Sequence, residues 1–407
     1  MSFQQGLSGL NAAAKNLAVI GNNVANSSTV GFKQSQAQFS DVYANSLTGA
    51  GGSQTGIGVK VANVAQQFTQ GNITASNNPL DMAVNGGGFF RMDTNGEVTY
   101  QRNGQFQLDK NGYIVNPGGA KLTGYTANAS GVLSIGAPAP IAINPADLAP
   151  NTTTEVKAVL NLDAGSAVPA TTPFDKDDPT SYNFSTAVSV YDILVNDHTL
   201  QTFYVKTATP GKWEVYVTSD GTQIVTVPDP LVLEFDTSGR LTTAMPLTPP
   251  IDVPAPGAID PFPVELDYTG TTQFGSAFGV NALNQDGYTS GRLAGFNIGA
   301  DGIVLGRYTN GQAAVMGQVV LANFANANGL QQMGDNMWAE TSTSGNPLVG
   351  SPGSGSLGVL QSSAVENSNV DLTAELVNMI VAQRMYQANA QSIKTQDAVL
   401  QTLVNLR

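Results

Sequence analysis

The sequence predicts a mainly β multidomain chain, α+β overall, whose N- and C-terminal helices pair in a coiled-coil-like terminal domain around nested all-β domains. Matching apolar stripes at the two ends, and a run of Asn-Gly turn signals between them, carry that reading. Near the start, Phe3, Leu7, Leu10, Ala14, Leu17, Gly21 and Val24 recur at alternating spacings of four and three. Near the end, Leu372, Leu376, Met379, Gln383, Tyr386, Ala390, Ile393, Asp397, Leu400 and Val404 do the same. Such a spacing keeps one narrow seam of a helix facing a partner. Complementary seams so far apart imply that the chain leaves from and returns to one helical bundle, held together partly by other copies of itself.

Residues 2 to about 25 read as an amphipathic helix, weakened by Gly6, Gly9 and Gly21, each costing up to about 1 kcal/mol against Ala. It should stop at Asn26-Ser27-Ser28-Thr29, before Gly31. Residues 34–70 are a polar, glycine-punctuated connector, with a loop at Gly49-Ala50-Gly51-Gly52-Ser53 and a strand over Gly58–Val64. In 71–145 the turn signals are Asn85-Gly86, Asn95-Gly96, Asn103-Gly104 and Asn111-Gly112. Asn-Gly favours two-residue hairpins because both residues tolerate positive φ. The same texture returns in 280–360, which with 71–145 forms an inner all-β domain. Between them, 146–279 is edged by prolines (Pro138 to Pro150, and Pro246 to Pro263) and holds the strand-like runs Ala187–Val195, Leu200–Val205, Trp213–Val217 and Leu231–Phe235. This block reads as an inserted outer all-β domain with its own core. A Gly/Ser/Pro linker over 345–358 then leads to the last helix, with Asn369 or Asp371 as N-cap. That helix runs without Gly or Pro to Arg407, whose charge suits the C-terminal dipole. Residues 1–33 and 361–407 thus make the terminal helical assembly domain.

Composition excludes several function classes. The 17 basic against 30 acidic residues give a formal charge of −13. Nucleic acid and anionic membranes both demand clustered Lys and Arg. With no cysteine, disulfides, Cys-ligated zinc and thiol chemistry are unavailable. The N-terminus lacks the basic and apolar regions of a cleaved signal peptide. No stretch approaches the roughly 20 apolar residues that span a bilayer.

No catalytic, cofactor-binding or metal-binding residue is nominated. The single histidine, His198, sits in Asn196-Asp197-His198-Thr199 between strand-like runs and reads as a turn residue. Asp175-Lys176-Asp177-Asp178 superficially resembles a calcium loop, but Thr180 and Thr186 stand where its Gly and Glu are needed, and Pro179 interrupts it. Gly350–Ser356 is glycine-rich without the Gly-Lys-Ser/Thr of a phosphate cradle. Within the C-terminal stripe, Gln383 and Asp397 are polar, as residues that set register are.

Ser8-Gly9-Leu10-Asn11-Ala12-Ala13, then Ile20-Gly21-Asn22-Asn23-Val24-Ala25-Asn26 and Thr29-Val30-Gly31-Phe32-Lys33, resemble the opening signature of the bacterial flagellar rod and hook family. Asn369–Ile380, Ala382–Asn389, Thr395-Gln396-Asp397 and Leu403–Arg407 resemble its closing signature. Asn85–Phe90, Arg102-Asn103-Gly104-Gln105-Phe106 and Leu122-Thr123-Gly124-Tyr125 fit its inner domain. Length and Leu122–Tyr125 favour the hook branch; a distal-rod or other axial protein, or a secreted adhesin using the inserted domain, are the alternatives. The resemblance implies a homopolymeric tube, extracellular and joining the basal-body rod to the filament. It implies rod, hook-cap and hook–filament junction proteins as partners, and export through the flagellar type III apparatus. The subunit interface is expected at the two stripes, and Asn22, Asn23, Asn26, Gly31, Phe32, Lys33, Arg102, Asn103 and Gly104 as family motif positions.

Overall fold

Residues Ser2–Ala25 form one helix, α1, and Leu372–Asn405 form a second, α2, and the two pack together. The computed structural model describes residues 2–42, 56–128, 131–224, 230–254 and 261–405. The expected loop at Gly49–Ser53 and the terminal Arg407 lie outside these. Asp371 is the N-cap of α2: its Oδ1 accepts the backbone N–H groups of Thr373 (2.9 Å) and Ala374 (3.1 Å), two donors that the first turn leaves free. Among the described residues no helix is long and apolar enough to cross a membrane.

The connector is more regular than its composition implies. Strand β1 (Ser35–Val42) pairs antiparallel with β2 (Gly58–Gln66), and this ribbon lies against α1. The polar sequence Ser35-Gln36-Ala37-Gln38-Phe39 concealed β1. Its alternation is of half-buried and exposed residues, so no apolar face announces the strand.

Beyond the ribbon, the chain divides into two compact units: 1–145 with 294–307 and 313–407, and 146–293 with 308–312. The first unit holds a large sheet in which Lys121–Thr126, Phe89–Thr94, Glu97–Gln101 and Met337–Ala339 are consecutive neighbours. Phe68, Phe89, Tyr100, Phe324 and Trp338 form an edge-to-face aromatic cluster on it, with ring centroids 4.8–6.0 Å apart. Asn95-Gly96 forms the expected tight hairpin, with φ of 56° and 94° joining Phe89–Thr94 to Glu97–Gln101. Asn111-Gly112 turns between the paired strands Gln107–Leu108 and Ile114–Val115. Asn85-Gly86 and Asn103-Gly104 make no hairpin. Met82–Asn85 pairs instead with the distant Val359–Ser362, and Ile73–Ala75 with Ala364–Glu366. Residues 361–366, expected with the helix, are therefore largely strand.

In the second unit, Ile251–Val253, Phe262–Asp267, Glu155–Asn161 and Gly279–Gln285 form one sheet in that order. Phe184–Tyr191, Asp197–Lys206 and Lys212–Ser219 form another, with Thr222–Ile224 and Leu231–Glu234 both on Lys212–Ser219. Leu160, Tyr204, Trp213, Leu233, Val264 and Tyr268, drawn from both sheets, share one buried core.

Candidate assembly site: the helix pair and its buried ion cluster

The buried positions on α1 are Gly6, Ala13, Val19, Ile20 and Asn23, and on α2 Glu375 and Ala382, with Gly9, Met379, Asn389 and Ile393 partly covered. Apart from Val19, the set on each helix steps by three and four, as in a heptad seam. Its phase on α1 is one residue N-terminal to the expected stripe, a rotation of about 100°. The contact is built from small residues. A Cβ added to Gly6 would lie 3.1 Å from Ile393 Cγ1, and one on Gly9 would lie 2.7 Å from Asn389 Oδ1. The glycines that weaken α1 in isolation thus let the helices approach closely.

Most large apolar side chains of the two helices, Val19 and Ile20 excepted, are left at least partly outside. Phe3 is 45% exposed, and Leu7, Ala14, Leu372, Leu376, Gln383, Tyr386 and Leu400 are likewise exposed. Leu10, Leu17, Val24, Met379, Ala390 and Ile393 are half-buried. Val377, Ile380, Val381 and Met385 extend the exposed apolar surface of α2. The helices pair as expected, but through the neighbouring face. Val404 falls within α2, where only the helix itself is described.

The motif positions serve the junction between helix, ribbon and inner sheet. Asn26 caps the end of α1, its Nδ2 donating to the Asn22 carbonyl at 2.9 Å and its Oδ1 accepting the Thr29 hydroxyl at 3.2 Å. Asn23 exchanges a pair of hydrogen bonds with Ser35, Nδ2 to the carbonyl at 2.8 Å and Oδ1 from the N–H at 2.9 Å, fixing where β1 starts. Asn369 does the same from the other terminus, accepting from Gln34 N–H and donating to the Gln67 carbonyl, both at 2.7 Å. Gly31 has φ +71° and packs against the Arg102–Asn103 backbone, where a Cβ would overlap. Phe32 is buried beside it. Asn103 Oδ1 accepts the Gln105 N–H at 3.0 Å, and a Cβ on Gly104 would overlap the Met82 carbonyl oxygen.

Lys33, Arg102 and Glu366 meet in the interior, all three nearly inaccessible to solvent. Lys33 Nζ lies 2.7 Å from Glu366 Oε1, and Arg102 Nη1 lies 3.2 Å from Glu366 Oε2. The remaining valences are largely filled by backbone. Lys33 donates to the Thr69 carbonyl, Arg102 to those of Val84 and Gly86, and Glu366 Oε1 accepts the Gly71 N–H at 2.8 Å. The Arg102 guanidinium also lies 5.5 Å from the centre of the Phe89 ring. Burial pushes the Lys33 ammonium down, opposed by Glu366 and assisted by the charge of Arg102; burial likewise lowers Arg102. One carboxylate therefore serves two cations, which makes it indispensable to both. Glu366 was missed in the sequence because its partners are 333 and 264 residues away. The available signal was indirect: two buried-looking motif cations imply a counter-charge.

His198 is not in a turn. It lies within the strand Asp197–Lys206, buried between Asp192 and Asp220. Asp192 and Asp220 stand 6 and 22 residues from it, so no local pattern marks the cluster.

Four family models match in order along the chain. "Flagella basal body rod protein" covers residues 3–33, "Flagellar hook protein FlgE/F/G D1 domain" 83–157, "Flagellar basal body protein FlaE D2 domain" 161–288, and "Flagellar basal body rod FlgEFG protein C-terminal" 361–406. The flagellar hook protein FlgE of Salmonella typhimurium is 46% identical over 413 residues, covering 100% of both chains. That of Escherichia coli is 44% identical with the same coverage, and that of Borreliella burgdorferi 31% identical across 100% of this chain and 99% of its own. The crystal structure of Helicobacter pylori flagellar hook protein FlgE2 shares the fold, with a TM-score of 0.56 at 15% identity over 72% of this chain and 100% of that one. With such identity over complete lengths, the chain belongs to the flagellar hook protein family.

Proposed function

We propose that this structural subunit of the flagellar hook polymerises into a hollow, flexible tube that joins the basal-body rod to the filament and transmits torque. In this reading α1 and α2 line the tube, and the stripe of Phe3, Leu7, Leu10, Ala14, Leu17 and Val24 with Leu372, Leu376, Met379, Gln383, Tyr386, Ala390, Ile393, Leu400 and Val404 is where neighbouring copies pack. The observation that carries it is the division of labour on the helices: glycines and alanines with Val19 and Ile20 are buried within the chain, while Phe3, Leu7, Leu372, Leu376, Ile380, Met385 and Leu400 face outward. These leucines are about half exposed, so covering one contributes about 1 kcal/mol, roughly half the value for full burial, a gain repeated at every added subunit. Outside the tube wall, a surface rich in Asn, Gln, Ser and Thr and poor in charge lets contacts slide, because water-mediated polar contacts re-form at little cost.

Partners in this reading are copies of the chain itself, the rod, the hook cap, the hook–filament junction and the type III export apparatus, and the assembled protein stands outside the cell. The test is complementation of a deletion strain with Leu7→Asp combined with Leu376→Asp. Both positions are solvent-exposed in the isolated chain, so the monomer should melt as wild type while no hook forms. Hooks of normal length from that variant would overturn the assignment of the stripe.

A further inference from the structure

One end of the Phe184–Tyr191, Asp197–Lys206 and Lys212–Ser219 sheet carries two adjacent tight turns. One, 192–196, links Phe184–Tyr191 to Asp197–Lys206; the other links Lys212–Ser219 to Thr222–Ile224 through Asp220 and Gly221, both at positive φ. The first turn is tensioned. Val195, a β-branched residue, is held at φ +67°, a conformation that costs of order 1–3 kcal/mol and persists only where neighbours enforce it. The same turn presents Ile193 and Leu194 to solvent, 70% and 60% exposed.

What enforces it is Asp192, fully buried, whose Oδ1 accepts the Asn196 N–H at 2.8 Å and whose Oδ2 accepts Asn196 Nδ2 at 3.0 Å. The same Oδ2 faces His198 Nε2 at 3.3 Å. On the other side of the ring, His198 Nδ1 lies 2.7 Å from Asp220 Oδ2, while Asp220 Oδ1 accepts the Thr199 N–H at 2.8 Å. The ring of Phe262 stands 6.2 Å from the imidazole. Among the described residues, Asp192 and Asp220 are the charged groups that face it. Ionised carboxylates only accept hydrogen bonds, and a neutral imidazole has a single N–H. Neutral His198 would therefore leave one buried lone pair against a carboxylate; only the imidazolium satisfies both sides.

We propose that His198 is a protonation latch: its imidazolium ties the 192–196 turn to the 219–222 turn, and loss of the ring proton releases the turn that carries Ile193 and Leu194. The balance of forces on the ring agrees. Burial pushes its pKa down, but the hydrogen bonds and charges of Asp220 and Asp192 outweigh that and hold it above the ordinary value, while both carboxyls are held below theirs. A group whose folded-state pKa is raised gives its full stabilisation below the unfolded value of about 6.5. It loses that stabilisation as pH climbs through the folded-state pKa. The latch is closed in acid and opens towards alkali.

The chain has one histidine, so proton NMR of the full-length monomer reports His198 without assignment ambiguity. The expected midpoint lies above about 6.5, and Asp220→Asn, at a half-exposed position where the amide oxygen can still accept the Thr199 N–H, should lower it by removing one of the two charges that hold the ring proton. Hydrogen exchange at residues 193–196 should accelerate with pH beyond the intrinsic base-catalysed rate in wild type. It should follow the intrinsic rate alone in His198→Gln. A midpoint at or below the ordinary value, or an excess acceleration that survives in His198→Gln, would overturn the proposal.

Discussion

Replacing Glu366 with glutamine keeps the shape of the side chain and removes the one charge that two buried cations share. Lys33 and Arg102 are 1% and 3% exposed, so neither can recover its hydration without opening the structure. Glutamine can still accept from the Gly71 N–H and Lys33 through its oxygen, but its amide then points a donor at the Arg102 guanidinium. Removing one partner of a buried ion pair costs about 3–5 kcal/mol, against a total of about 5–15 kcal/mol for a typical domain. The two tryptophans fall one to each compact unit, Trp338 in the first and Trp213 in the second. Urea unfolding in a Trp213→Phe background therefore follows the first unit alone. Glu366→Gln should lower that transition by about 3–5 kcal/mol, leaving the second unit, read through Trp213 in a Trp338→Phe background, unchanged. A Glu366→Gln loss below about 1 kcal/mol, the scale of an exposed pair, would refute the claim that this cluster holds the junction.

Four further outcomes follow from the geometry. Gly104→Ala should abolish folding of the first unit, seen as loss of soluble protein, because its Cβ would overlap the Met82 carbonyl oxygen. Gly21→Ala meets nothing within 4 Å and should raise monomer helicity by circular dichroism, a gain of up to about 1 kcal/mol. Asp371→Ala removes the cap of α2 and should cost about 1 kcal/mol, with hydrogen exchange increased at Thr373 and Ala374. Ala390→Pro, mid-helix, should cost about 3 kcal/mol or more in every subunit and stop hook elongation, measured as hook length in micrographs.

The sequence made the helices legible almost to the residue, because heptad periodicity and an Asp N-cap are local signals. The phase of the α1 pairing face was not. The apolar stripe draws the eye to Leu7, Leu10 and Leu17, whereas close approach of two helices selects Gly6, Gly9 and Ala13, which carry little hydrophobic signal of their own. The hairpin at Asn95-Gly96 was readable because both residues supply positive φ. The same dipeptide at 103–104 serves another end, room for the Met82 carbonyl, which no local pattern reveals. Glu366 and the Asp192–His198–Asp220 bracket depend on partners brought together only by the fold. Charge alone gives no pairing across such separations.

The most direct test asks whether the exposed stripe is covered by other copies. The chain has no cysteine, so single substitutions Leu7→Cys, Leu376→Cys and Ile380→Cys each introduce one thiol for maleimide labelling. An exposed site on the second unit, Asp177→Cys, whose side chain is 78% exposed, serves as the reference. In monomers all four should label readily. In isolated hooks the three stripe positions should become protected relative to Asp177→Cys. Stripe thiols that label as fast in hooks as in monomers would contradict the account that these helices build the tube through their outward apolar face.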